Sequence, residues 1–268
     1  MFWFAGVIAV LAACSVLSQA RSEPVVSVWY RGTPAGTPNQ DDLAMLRALG
    51  FRAVTWPASQ TAGVAELKRQ AAIVSLVVEV RDPLPAVTAA SARTPGSHID
   101  VRLPSLPLAL LPATVWRAVA HGARSIAFDA GAAAGAGVED VNGQTPAWIG
   151  PARTVARQLT ANAPLFDQLG DGAPVKFQSI GGIPGALDAM LFQTIRDWVI
   201  IATNTSAERA EAMAVLPRAL PYAPWGSLLD GRVVAMRENP AGPIWNLALE
   251  PGGARIYVAA KKPIKNIP

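Results

Sequence analysis

Two carboxylates stand where a parallel sheet would present its chemistry. Glu79 lies in the apolar run VSLVVEV (Val74 to Val80), and Asp129 follows Ile126-Ala127-Phe128, so each is placed at or near the end of a strand. Asp82, just past the first of these runs, is the reserve. Loops leaving the C-terminal ends of parallel strands carry the reactive groups of α/β enzymes. One carboxyl that donates a proton and one that stays ionised form an acid/base pair, provided that their surroundings push their pKa values apart. The structural alternatives are equally concrete. Glu79 could pair with Arg81, two residues on and on the same strand face, or with Arg52 or Arg102, since buried carboxylates need cations. Asp129 could cap the backbone of the Gly/Ala segment that follows it. Trp29, Tyr30 and Trp56 end their strands on one side of the sheet, and Trp148 sits among turn residues in QTPAWIG. These rings are either stacking platforms for an apolar ligand face or large core side chains. Arg31, in the first loop, would face an acidic ligand or solvent.

The elements that must position these residues follow from periodicity. Leu111 to Gly131 reads as helix, turn, buried strand and carboxylate. Leu111, Val115 and Val119 form an apolar stripe, Pro112 suits a first helical turn and Gly122 the residue past a helix end. His121 there is a partner for the helix C-terminus. Before it, EPVVSVWY (Glu23 to Tyr30) is a strand, and Asn39 with Asp41 and Asp42 opens a helix buried through Leu43, Leu46 and Leu49. Gly50 stops that helix and Ala53 to Trp56 is a second strand. Strand, helix and strand in that order predict a βαβ crossover and parallel pairing. A helix over Val64 to Ile73, the strand Val74 to Val80, a short strand at Ile99 to Leu103 and a helix over Pro151 to Leu169 continue the pattern. After about residue 175 short strands alternate with turns, at Asp197 to Thr203, Arg232 to Met236, Ile244 to Leu249 and Arg255 to Ala259, which predicts a small antiparallel sandwich.

Half of the 268 residues are hydrophobic (51%) and 16% are charged, which supports a substantial core and excludes a disordered chain. The net charge is +4, and no basic run is interleaved with aromatics, which argues against a nucleic-acid partner. Residues 1–20, MFWFAGVIAVLAACSVLSQA, carry no charge and read as the apolar core of a secretory signal. Ser18-Gln19-Ala20 would be a cleavage site, and Leu11-Ala12-Ala13-Cys14 would be a lipobox with Cys14 as the lipidation site. No Lys or Arg precedes the run, and about 20 apolar residues also suffice for an uncleaved anchor. The expectation is an exported protein, periplasmic, envelope-anchored or secreted, touching membrane only through this signal or lipid. Cys14 is the single cysteine, so the folded part has neither an intrachain disulfide nor a cysteine nucleophile. With His98 and His121 the only histidines, neither a metal nor another cofactor is expected.

Four stretches carry a resemblance. DLAMLRALGFRAVTWP (42–57) resembles the first helix and second strand of (β/α)8 glycoside hydrolases. WRAVAHGARSIAFD (116–129) is similar to the late-barrel helix and strand of β-galactosidase-like glycosidases such as family 42. PARTVARQLTANAPLF (151–166) resembles the helix that follows, and residues 197–259 resemble the β-sandwich trailing those barrels. The resemblance implies an α/β fold, a shortened or incomplete TIM-like (β/α) barrel followed by a small antiparallel β-sandwich. Its segments would be a signal at 1–22, the partial barrel at 23–174, the sandwich at 175–262 and a tail at 263–268. A full barrel needs about 250 residues and eight strands, so the middle of the barrel is expected to be missing.

The resemblance also implies a chemistry. Glycosidases flank the scissile bond with two carboxyl groups, about 5–5.5 Å apart in retaining enzymes and ~6.5–9.5 Å in inverting ones. Glu79, Asp129 and Asp82 are the candidates for these roles, and Trp29, Tyr30, Arg31, Trp56 and Trp148 the candidates for substrate contact. Such enzymes place an acid/base Glu after Asn, and this chain has no Asn-Glu pair. Two readings follow. One is a non-catalytic relative binding carbohydrate or an envelope partner. The other is an active glycosidase using two carboxylates on an envelope or environmental polysaccharide. An open sheet with bare edges further predicts that the sandwich or a second copy, in a homo-oligomer, covers the gap.

Overall fold

The computed structural model describes residues 25–30, 37–85, 98–103, 106–129, 146–181, 185–222 and 224–261. Arg31, Cys14 and the whole signal region lie outside them. Five parallel strands form the first layer: β1 (Val25–Trp29), β2 (Ala53–Pro57), β3 (Val77–Arg81), β4 (His98–Arg102) and β5 (Ser125–Asp129), in the order β3-β2-β1-β5-β4. The last strand pairs with the first, Val25 with Ser125 through Val28 with Phe128. This is the order of a (β/α) ring that has its first three and last two strands and is open between β3 and β4.

Local sequence explains each helix. In α1 (Gln40–Ala48) the Asn39 side chain accepts from the Asp41 N–H, Asp41 and Asp42 occupy the first turn, and Leu43 and Leu46 are buried. Gly50, at φ +100°, then turns the chain into β2, a conformation that a side chain would resist. Next, α2 (Val64–Ile73) buries Leu67 and Ala71. Its end differs from the expectation: Val74 and Ser75 form a turn, Ser75 at φ 58°, and β3 begins only at Val77. Further on, α3 (Leu111–Ala120) carries Pro112 in its first turn, and Gly122 follows it at φ +102°. The expected helix over 151–169 is two, α4 (Ile149–Ala161) and α5 (Ala163–Phe166), broken at Asn162 two residues before Pro164, whose ring nitrogen has no N–H to continue the hydrogen-bond ladder and fits the first turn of a new helix.

Antiparallel strands begin at Ala173. A six-stranded sheet has the order β12-β11-β14-β9-β8-β6, built from β6 (Ala173–Pro174), β8 (Leu187–Gln193), β9 (Asp197–Asn204), β11 (Trp225–Ser227), β12 (Val233–Val234) and β14 (Ala254–Ala260). A three-stranded sheet joins β13 (Ile244–Leu249), β10 (Ala210–Val215) and β7 (Gln178–Gly181). Leu187, Ala189 and Leu191 of β8, Ile200 of β9, Ala212 of β10 and Trp245 of β13 share one apolar cluster between these two sheets.

The other face of the six-stranded sheet is equally apolar. Met190, Phe192, Val199, Ile201 and Ile256 belong to the same cluster as Val26, Val54 and Phe128 of the parallel sheet. Between them lies α3, buried at Leu111 and from Ala113 to Ala120. The expected apolar stripe is therefore only half of the helix: one side packs beside α4 in the cluster shared with the parallel sheet and the other on β8, β9 and β14. No antiparallel strand pairs with either free edge, since among the described residues β3 pairs only with β2 and β4 only with β5. No helix among the described residues is long and apolar enough to cross a membrane.

Candidate functional site

Strand alternation sorts the parallel sheet into two faces. Val26, Val28, Val54, Trp56, Ile99, Val101, Ile126 and Phe128 face the helices and the core. The residues between them face the inside of the open ring: Ser27, Trp29, Thr55, Glu79, Arg81, Asp100, Ser125 and Asp129. This inner face is polar, and its hydrogen bonds show how far the sheet curls.

Arg81, at the end of edge strand β3, grips Asp100 of the opposite edge strand β4. Its two terminal nitrogens lie 2.5 and 3.2 Å from the two carboxylate oxygens. Asp100 also accepts the Trp29 indole N–H at 3.0 Å and the Leu84 backbone N–H at 2.6 Å. The Arg81 guanidinium lies 5.0 Å from the Trp29 ring centre, a cation–π contact. Trp29 is 1% and Asp100 3% exposed, so the group is a plug inside the ring rather than a surface pair.

Among the described contacts Glu79 does not meet Arg81, its first expected partner, and this is the main correction. Arg81 turns instead to Asp100. Glu79 accepts from the Ser125 hydroxyl at 3.1 Å and the Thr55 hydroxyl at 3.4 Å, and Thr55 in turn bonds Ser27 at 2.7 Å. Ser125 is the first residue of β5, so Glu79 leans toward the N-terminal end of the strands, away from the rim where reactive groups gather. Asp129 is buried at the C-terminal end of β5, beside Arg102 in register on β4. Asp82 is exposed after β3. Glu79 and Asp129 thus share the inner face, and Asp82 stands at its rim.

The aromatic candidates are interior side chains. Tyr30 and Trp56 are fully buried, 5.9 Å apart between ring centres, and Trp148 is buried at the start of α4. The Trp56 indole donates to the Gln60 carbonyl at 2.7 Å. The Tyr30 hydroxyl donates to Asp42 at 3.0 Å and accepts from the Asn39 N–H at 2.8 Å. Burial, with Asp42 beside it, pushes the Tyr30 phenol above its ordinary range. All four rings are thus interior in this structure: Trp56 on the helix-facing side of its strand, Trp29 on the inner face of the ring under Arg81, Tyr30 just past β1 and Trp148 at the start of α4.

Sequence reasoning missed two groups. Asp100 had a visible signal: in HIDVR the apolar Ile99 and Val101 alternate with polar residues, which marks Asp100 as inward-facing. The second group joins the layers. Asp188 of β8 receives Arg117 Nε of α3 at 2.7 Å and His121 Nε2 at 2.8 Å, and Arg117 also donates to the Thr205 hydroxyl at 2.9 Å. His121 thus pairs with a carboxylate as well as ending its helix. Burial acts to raise the Asp188 pKa, but His121 and Arg117 outweigh it and hold the carboxyl far below its usual range.

No family model matches the chain, and no curated protein matches it in sequence. Among solved structures it is similar to glycoside hydrolases. A maltogenic α-amylase from Thermotoga neapolitana aligns at 8% identity and a TM-score of 0.46, over 88% of this chain and 98% of that one. An Anoxybacillus α-amylase aligns at 10% identity and a TM-score of 0.42, over 85% of this chain and 64% of that one. The Geobacillus thermoleovorans α-amylase solved with acarbose gives 9% identity and a TM-score of 0.43, over 84% and 63%. The chain therefore spans less than two thirds of the last two proteins. The opened ring rests on its own strand order, not on these likenesses.

Proposed function

We propose that this chain is a glycoside-hydrolase-like protein that binds carbohydrate at the rim of its opened barrel and does not cleave it. The observation that carries this reading is the Arg81–Asp100 pair over Trp29, which commits the inward-facing arginine and carboxylate of the two edge strands to each other rather than to a ligand. Hydrolysis also needs two carboxyls about 5–9.5 Å apart across one bond, and Glu79 is committed to hydroxyls at the N-terminal end of β5. Asp82, exposed just past β3, remains as a hydrogen-bond acceptor for sugar hydroxyls at the C-terminal end. Two of the similar structures were solved with acarbose and with maltotriose. The finer likeness to family 42 and to a trailing β-sandwich rests on the sequence resemblance alone. Export through residues 1–22 belongs to the same proposal, and mass spectrometry of the mature N-terminus distinguishes Arg21 from a lipidated Cys14.

The test is a titration of the full chain with maltotriose and xylotriose by calorimetry, beside turnover assays on aryl glycosides. Binding weakened by Asp82→Asn, with no turnover, supports the proposal. Turnover that disappears in Glu79→Gln or Asp129→Asn overturns it in favour of an active glycosidase.

A further inference from the structure

The end of the antiparallel layers carries a second cleft, distant in sequence from the barrel rim. It has a volume of about 360 Å³ and is lined by Gln193, Trp198, Arg218, Pro221, Tyr222 and Lys261 among others. That volume is within the range of small-molecule sites, roughly 300–1,000 Å³. Gln193 and Trp198 are register partners on neighbouring strands β8 and β9, so both side chains lie on one face of the sheet.

The chemistry of the walls is one-sided. Arg218 and Lys261 bring two positive charges, and none of the described residues lining the cleft is acidic. The nearest acid in sequence, Asp197, projects from the opposite face of β9, because side chains alternate along a strand. Lys261 is fixed in place: its ammonium donates to the Thr194 carbonyl and lies 5.4 Å from the Trp198 ring centre. Tyr222 is fixed too, its hydroxyl donating to the Asn239 carbonyl at 3.0 Å. Trp198 packs against the apolar cluster between the sheets and is only partly buried. The cleft thus offers charged and amide donors above aromatic and proline walls, and both walls are held by bonds made elsewhere.

We propose that this cleft binds an acidic saccharide, a sugar unit carrying a carboxylate. A bare anion would use Arg218 and Lys261 but would leave the Trp198, Tyr222 and Pro221 surfaces wet. A neutral sugar would use the walls but give the Arg218 guanidinium and the Lys261 ammonium no anionic partner in the cleft. A uronate satisfies both, its carboxylate between the cations and its C–H face on the rings, where apolar contact and charge-assisted hydrogen bonds add. Only the saccharide class rests on the carbohydrate reading given above; the anionic preference stands on the cleft alone.

The test is calorimetric titration of the full chain with tetragalacturonate, maltotetraose and inorganic phosphate, at two salt concentrations. Tetragalacturonate binding, weakened roughly ten-fold by Arg218→Ala through loss of a charge-assisted contact, is the expected result. Arg218→Lys restores part of it, and Arg209→Ala, at an exposed cation elsewhere, leaves it unchanged. Affinity falls as salt rises. Absence of tetragalacturonate binding, or binding indifferent to Arg218→Ala, overturns the site. Equal affinity for maltotetraose overturns the acidic preference, and full displacement by phosphate at equal concentration overturns the saccharide. Asp82→Asn, which probes the barrel rim, leaves tetragalacturonate binding intact, so failure of either site is read separately.

Discussion

Arg81 and Asp100 stand on the two free edges of the parallel sheet and meet across the opening of the ring at 2.5 and 3.2 Å. A five-stranded sheet with three fewer strands than a closed barrel is thereby drawn together by one forked ion pair. Only strong curling brings edge strands β3 and β4, with three strands between them, into hydrogen-bond range.

That pair is the most sensitive point of the half barrel. Asp100→Ala leaves the Arg81 guanidinium, the Trp29 indole and the Leu84 N–H without their shared acceptor. A loss of about 3–5 kcal/mol is expected, as for a buried pair broken on one side. Urea denaturation of Asp100→Ala beside the double variant Arg81→Met/Asp100→Leu checks it: the double variant recovers much of the loss, since a packed apolar pair carries no desolvation cost.

Acid weakens the join between the layers. The Asp188 carboxyl is depressed in the folded chain relative to about 3.9 when unfolded. A depressed carboxyl contributes stability that is complete above the unfolded value and is lost as pH falls toward the folded one. Melting temperature should therefore drop below about pH 4, more steeply in the parent than in Asp188→Asn. Asp188→Asn itself, leaving Arg117 buried opposite a neutral amide, should cost about 3 kcal/mol at neutral pH.

Glu79→Gln is expected to be mild. Glu79 has two hydroxyl partners at 3.1 and 3.4 Å, and an amide oxygen can accept from both. A change within about 1 kcal/mol is expected, in keeping with neutral hydrogen bonds. A clear gain in the urea midpoint would instead mark a strained, functional carboxylate.

Gly252, at φ +66° in the turn between β13 and β14, lies against the chain entering α3. A Cβ there would collide with the Ala109 carbonyl oxygen. Gly252→Ala should cost about 3 kcal/mol or more, read by thermal unfolding, because both the backbone conformation and the close approach forbid the side chain.

Much of the parallel layer was legible because punctuation and periodicity agree. Asn39 and Gly50 bracket α1, Pro112 and Gly122 bracket α3, and apolar runs mark β2 and β5. The antiparallel part was harder. In β8, LDAMLFQ, Leu187, Ala189 and Leu191 serve one apolar cluster while Met190 and Phe192 serve the other. Both faces are buried, so the period-two signal of a half-wet strand is absent. The site suffered from distance: Arg81 and Asp100 are 19 residues apart and on opposite edges, whereas Arg81 and Glu79 are close in sequence and on one face. Local spacing favoured the wrong partner, and only the curl of the sheet corrects it.

Helix α3 has no wet side, and this makes the chain a single melting unit. Withdrawing the antiparallel sheets would expose the side of α3 that packs on β8, β9 and β14 and strip the buried Arg117 of Asp188, so the opened barrel is not expected to fold as a fragment. Limited proteolysis after residue 175 should yield loss of the whole fold rather than a resistant N-terminal core. The interior of one layer is thus the foundation of the next.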